Sequence, residues 1–301
     1  MAETSPVIVA EAYGPKPFVT RRVYRDRAGA RCEWSSRHHR KAIAMPGSVR
    51  AEHVARLLLQ CLWMPGDLNW WIGAVFAIGS TLFATGGVLT LNPSLVSWLG
   101  MSTTEVNAVF FAGSIPFTTA AYLELFQAGN AGRQPGGRWR IIGWRPGDLG
   151  WLSCLLQWLG TIMFNFNTFD ATLPGLVWWE SDLAIWTPNM IGSVLFLVSG
   201  YMMFGEVCHA YWGWRFSDLS WWSVFVNLGG CAWFMLSGLT AFYLPGGTSQ
   251  GLVTFSVFAI TSGAVCFFVG SVLMLPEAAT ARLPRVDRSA EPVERVDAVE
   301  P

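Results

Sequence analysis

The chain has 301 residues, 52% of them hydrophobic, with 17 Trp and 20 Phe but only 13% charged. That balance excludes an ordinary soluble enzyme and points to an integral membrane protein. The formal net charge of zero conceals a basic front, a neutral middle and an acidic tail.

Residues 1–17 are Pro-rich and polar and are expected to be loose, and the first 20 contain no apolar signal segment. Phe18 to Tyr24 and Arg31 to Trp34, on either side of Asp26-Arg27-Ala28-Gly29, predict a small β-hairpin. A basic cluster follows, Arg37-His38-His39-Arg40-Lys41. Residues 1–47 thus read as a basic cytoplasmic region, and residues 1–65 hold 11 Lys and Arg against 5 Asp and Glu. Beside a membrane such a stretch is expected to meet anionic headgroups rather than nucleic acid. Residues 48–64 predict an amphipathic juxtamembrane helix, capped by Ser48, with Val54, Leu57, Leu58, Cys61 and Leu62 on one face.

Six apolar runs come next, at about 69–91, 105–127, 149–170, 186–208, 219–243 and 252–275. Each has the ~20 residues a helix needs to cross the hydrocarbon core. Loops 92–104, 171–185 and 244–251 contain no Lys or Arg, so all 20 basic residues fall on the other side. The positive-inside rule then predicts both termini in the cytoplasm, in the cell inner (plasma) membrane. The tail, residues 278–301, is charged and Pro-containing and is expected to be disordered.

The runs are related to one another. Trp63-Met64-Pro65-Gly66-Asp67-Leu68-Asn69-Trp70 returns as Trp144-Arg145-Pro146-Gly147-Asp148-Leu149-Gly150-Trp151. It returns again as Trp214-Arg215-Phe216-Ser217-Asp218-Leu219-Ser220-Trp221. Gly79, Gly160 and Gly230 stand twelve residues after each Asp, and Phe83, Phe164 and Phe234 sixteen after. In the second helix of each pair, Gly113, Gly192 and Gly263 are followed fourteen residues on by Gln127, Glu206 and Glu277. This spacing predicts an all-α integral membrane protein of six transmembrane helices in three repeated hairpins, N-in/C-in, at 65–128, 144–210 and 214–277.

Asp67, Asp148 and Asp218 stand where helix N-caps belong, a structural role. Glu206 and Glu277 are cytoplasmic-face acids; pairing with Arg215 and Arg282 is one reading, capping a neighbouring hairpin another, and reaching water at the helix end is the preferred one. Glu124, Asn165, Asn167 and Asn227 are the candidates for a polar path between the hairpins, against a reading as helix–helix hydrogen bonds and snorkelling. Glu206, Cys208 and His209 lie close in sequence, but without a second ligand set they do not make a metal site. The six isolated cysteines read as free thiols. No cofactor, metal or catalytic constellation is expected, and the protein does not read as an enzyme.

Gly66-Asp67-Leu68 through Ile78-Gly79-Ser80, with Gly192-Ser193-Val194-Leu195-Phe196, resembles the YrhK-like membrane domain, in three tandem copies over 66–277. The resemblance implies topology and no reaction. The mitochondrial carriers share the three-hairpin plan but place Pro-x-Asp/Glu-x-x-Lys/Arg at the ends of the odd helices, which this chain lacks. Two functions follow from the sequence: a structural or interaction protein with a partner on the cytoplasmic face, or a small-solute or ion transporter with a path between hairpins. A transporter is expected to turn polar side chains into a shared cavity, and a scaffold to have a dry centre packed by Gly and Phe.

Overall fold

The computed structural model describes residues 9–25, 31–43, 61–134 and 136–280. The protein is 68% helical, with six helices long and apolar enough to cross a membrane. A three-stranded antiparallel sheet comes first: β1 (Val9–Tyr13), β2 (Arg21–Arg25) and β3 (Arg31–Ser35), in that order. The β2–β3 pair is the predicted hairpin, with Val23 opposite Glu33 and Tyr24 opposite Cys32. β1 is a correction, because residues 9–13 lie in the segment expected to be loose; they pair with β2 through backbone bonds that composition does not reveal. A short helix, α1 (Ser36–Lys41), follows β3 directly. The predicted amphipathic helix lies outside the described residues up to position 60, and Cys61–Met64 is not helical.

The long helices are α2 (Leu68–Leu91), α4 (Thr103–Gly129), α5 (Leu149–Asp170), α6 (Trp178–Cys208), α7 (Leu219–Thr240) and α8 (Gln250–Thr280). A short α3 (Pro93–Trp98) occupies the loop after α2. α6 starts earlier than its apolar run, inside the loop expected over 171–185, and its Asp182–Trp186 segment is π-helical just before Pro188. Proline has no N–H to offer the preceding turn. The Ile185 carbonyl in the same segment accepts from Asn167 Nδ2 at 2.9 Å. α8 runs to Thr280, into the stretch assigned to the tail; the rest of the tail lies outside the described residues.

Each long helix packs on its neighbours in the chain, and α8 returns to α2, closing a ring of six. Glycine sets the approach within α2–α4, α5–α6 and α7–α8. A Cβ on Gly79 would stand 3.0 Å from the Gly113 carbonyl, on Gly160 3.2 Å from that of Gly192, and on Gly230 3.1 Å from that of Gly263. Such close approach suits helix association in lipid, where dispersion replaces the hydrophobic effect. Outward faces carry exposed Ile78, Ile115, Phe166, Phe258 and Val265. Exposed tryptophans ring both ends, Trp63, Trp144 and Trp214 at one and Trp98, Trp178 and Trp179 at the other, as two membrane interfaces require.

The eight-residue motif before α2, α5 and α7 folds the same way each time. The Asp backbone N–H closes a turn onto Met64, Arg145 or Arg215 at 2.9–3.0 Å. The Asp side chain then caps its helix: Asp67 accepts from Asn69 N at 2.8 Å, Asp148 from Trp151 N at 3.1 Å and Asp218 from Ser220 N at 2.9 Å. The last Trp of each motif packs against the first, with ring centroids 5.5, 5.2 and 5.7 Å apart. Its indole N–H donates back to the preceding loop, at Cys61, Ile142 or Gly213.

Candidate functional site

The centre of the ring is sealed by aromatics. Phe83, Phe164 and Phe234 meet Phe117, Phe196 and Phe267 pairwise at 5.3, 5.0 and 5.0 Å between ring centroids. Contacts between pairs join them into one cluster, such as Phe164–Phe234 at 5.4 Å and Phe117–Phe267 at 5.8 Å. All six rings are buried.

Between this cluster and α1 lies a cavity of about 30 Å³, to which all six long helices contribute. That is room for one or two waters. Its wall repeats in register. Nine residues after each capping Asp stand Phe76, Gln157 and Asn227; eleven after each second-helix Gly stand Glu124, Met203 and Met274. Arg37 and Lys41 close the α1 side. Glu124 is 5% exposed, and its buried Oε2 has no hydrogen-bond partner among the described residues. An unsatisfied carboxylate oxygen in a low-dielectric site is costly unless a proton, a cation or water meets it.

The next layer outward is ionic. The preferred sequence reading of Glu206 and Glu277, that they mark where the chain reaches water, is corrected: their exposures are 0% and 5%. Arg215, offered as a partner, instead donates to the Val207 carbonyl at 2.9 Å, and Arg282 lies outside the described residues. Their ion pairs are with α1. Arg40 Nη2 meets Glu206 Oε2 at 2.7 Å, and Ser36 donates to Oε1 at 2.8 Å. Arg37 grips Glu277 with Nε and Nη2, both at 3.0 Å, while Lys41 Nζ and Ser220 Oγ add bonds at 2.8 Å. Gln127, at the matching position, is neutral and donates to Asn69 at 3.1 Å; Asn69 donates in turn to the Lys41 carbonyl at 3.0 Å. Gly150 makes room for the Glu206–Arg40 pair, since a Cβ there would stand 2.5 Å from Glu206 Oε1.

Arg37, Arg40 and Lys41 are therefore buried and engaged with carboxylates, so these three cations of the basic region face the helix bundle. Burial opposes the charge on Arg40, but Glu206 outweighs it and holds the guanidinium well above its ordinary value. Burial, with Arg37 alongside, draws the Lys41 ammonium below the usual lysine range against the pull of Glu277.

Of the four residues proposed for a polar path, Glu124 and Asn227 line the cavity. Asn165 and Asn167 do not: they bond Thr118 Oγ1 and the Ile185 carbonyl, each at 2.9 Å. Glu206 and His209 turn to different partners, Arg40 and Thr20. Among the described residues no three His, Cys, Asp or Glu converge as a metal site. Sequence reasoning passed over Gln157 and the three α1 cations. The available signal was that two carboxylates inside apolar helices need counter-charges, and the N-terminal region has the largest supply. No family model, curated protein or solved structure matches the chain.

Proposed function

We propose that the protein is a multi-pass transporter or channel that passes a small cation along the axis between three repeated hairpins, and that it is not an enzyme. The observation that carries this reading is the Glu124 carboxylate, one oxygen of it unsatisfied among the described residues, on an axial cavity that every long helix lines. Intramembrane acids of this kind mark ion pathways. The repeat is supported by three like-placed Asp caps, three Gly–Gly approaches and two layers of matching residues around the cavity. The one-sided distribution of Lys and Arg favours both termini in the cytoplasm, with α1 at the cytoplasmic mouth and the membrane the cell inner membrane. The YrhK-like resemblance remains a proposal about topology. The six-Phe cluster acts as the barrier beyond the cavity; a dry aromatic centre also favours a scaffold, which keeps that reading as the alternative.

Flux in proteoliposomes tests the choice, with Na⁺, K⁺, H⁺ and guanidinium offered under imposed gradients. The expected result is uptake of at least one cation above protein-free vesicles, lost in Glu124→Gln and partly kept in Glu124→Asp. Leak-level flux of every cation, in the parent and in Lys41→Gln where the mouth is loosened, would leave the scaffold.

A further inference from the structure

Two of the three matching positions at the mouth are carboxylates, and α1 supplies an ion pair to each. Ser220 gives Glu277 a neutral hydrogen bond, and Gly150 gives Glu206 none. The sequence of α1, Ser-Arg-His-His-Arg-Lys, contains no apolar side chain. α1 is thus seated by ion pairs and hydrogen bonds together with the buried aliphatic stems of Arg37, Arg40 and Lys41, with no apolar anchor residue. Exchanging one cation for another at a carboxylate conserves most of that energy, so a competing cation can take the place of α1.

The way α1 binds defines what else the mouth would accept. Glu277 receives a guanidinium in forked, two-bond geometry and an ammonium beside it; Glu206 receives a second guanidinium. Planar donor forks of this type suit carboxylates better than a point charge does. The resident fit is also incomplete. Among the described residues, Arg40 Nε is buried without a partner, and Glu124 Oε2 waits below the α1 cations with none. A ligand that carried donors deeper would satisfy an atom that α1 leaves unsatisfied.

We propose that the mouth formed by Glu124, Glu206 and Glu277 is a binding site for a small organic cation bearing a guanidinium or primary ammonium group, occupied in this state by the chain's own α1. The site rests on the cation-pathway reading. It makes α1 a tethered competitor: ligand binding and α1 seating exclude each other, because both need the same carboxylates. The 30 Å³ cavity holds no such ligand while α1 is seated, so entry requires displacement.

Hydrogen–deuterium exchange of the amides of 36–43, in the full-length protein in lipid nanodiscs, reads α1 seating directly. The probe is agmatine, which carries a guanidinium and a primary ammonium. NaCl at matched ionic strength controls for screening, and choline, a cation without N–H donors, controls for charge alone. Agmatine is expected to raise exchange over 36–43 by about tenfold, saturably, while choline and NaCl leave it low. Glu124→Gln is expected to move the agmatine midpoint up by about tenfold. Equal responses to all three salts, no response to agmatine, or an unchanged midpoint in Glu124→Gln would each overturn the site. The two readings fail separately: agmatine that unseats α1 while every cation, agmatine included, shows only leak-level flux in proteoliposomes removes transport and leaves the site standing.

Discussion

At the scale of single residues, two kinds of acid stand at the α1 end, and their surroundings separate their roles. Asp67, Asp148 and Asp218 accept backbone N–H groups at helix starts, so their work is hydrogen bonding in the first turn. Asp148→Asn retains an acceptor and is expected to melt like the parent in detergent, whereas Asp148→Ala is expected to lose about 0.5–2 kcal/mol. Lost ligand response with an unchanged melt in Asp148→Asn would assign that carboxylate a functional role. Glu206 differs because it is fully buried against Arg40. Glu206→Gln strands that guanidinium and is expected to cost about 3–5 kcal/mol, while replacing both partners by Met is expected to cost far less. Melting of the single and double variants checks this; equal losses would mean that the pair does not act as a unit.

Between elements, close approach and docking dominate. A Cβ on Gly230 would stand 2.8 Å from the Phe267 ring and 3.1 Å from the Gly263 carbonyl, and the backbone oxygen cannot rotate away. Gly230→Ala is expected to cost about 1–3 kcal/mol, as overpacking does, whereas Gly229→Ala, with open space beside it, is expected to be neutral. Comparative melting distinguishes them. The sheet docks on the helix bundle through Thr20 Oγ1, 3.0 Å from Nδ1 of His209. Burial, then Arg215 and Arg21, push the His209 imidazole down to about 4, against Glu206 and Glu33. With the folded value depressed, the unfolded or undocked chain binds the proton first. Docking is therefore strongest above the ordinary histidine range, near pH 6.5, and weakens as pH falls toward 4. Protection of 9–25 and 31–43 in hydrogen exchange, corrected for the intrinsic rate, is expected to fall over that window, and His209→Gln is expected to flatten the dependence.

For the whole molecule, the described chain meets both ends of the ring at one side. Cys61 and Met64, just before α2, cluster with Ala278 and Ala279 at the end of α8, near the mouth where Arg37 and Lys41 hold Glu277. If that side is cytoplasmic, single cysteines placed in 92–104, 171–185 and 244–251 of an otherwise Cys-free chain are expected to react with impermeant maleimide in intact cells. Cysteines in 128–146 are expected to be protected. Reversal at even one loop would break the N-in/C-in topology and with it the cytoplasmic position of α1.

Much of this architecture could be read before any coordinate was known, for a physical reason. A helix in lipid must satisfy its backbone internally and show hydrocarbon outward, so length and composition alone disclosed six runs. Capping is equally local, which is why Asp67, Asp148 and Asp218 were legible from the residues beside them. Strand Val9–Tyr13 was not, because short-strand pairing is non-local and its residues carry little β signal. The candidate site was legible only in part. Glu124 and Asn227 stood out as polar residues in apolar runs, but Asn165 and Asn167 looked the same and serve helix contacts instead. Nothing local distinguishes an amide that faces a cavity from one that faces a neighbouring carbonyl. The ionic mouth lay furthest out of reach, since Arg40 and Glu206 are 166 residues apart. A basic run beside a membrane reads as a lipid-facing surface until tertiary structure turns it inward. A buried, ionised carboxylate is costly without a counter-charge, and only the folded chain decides which cation supplies it.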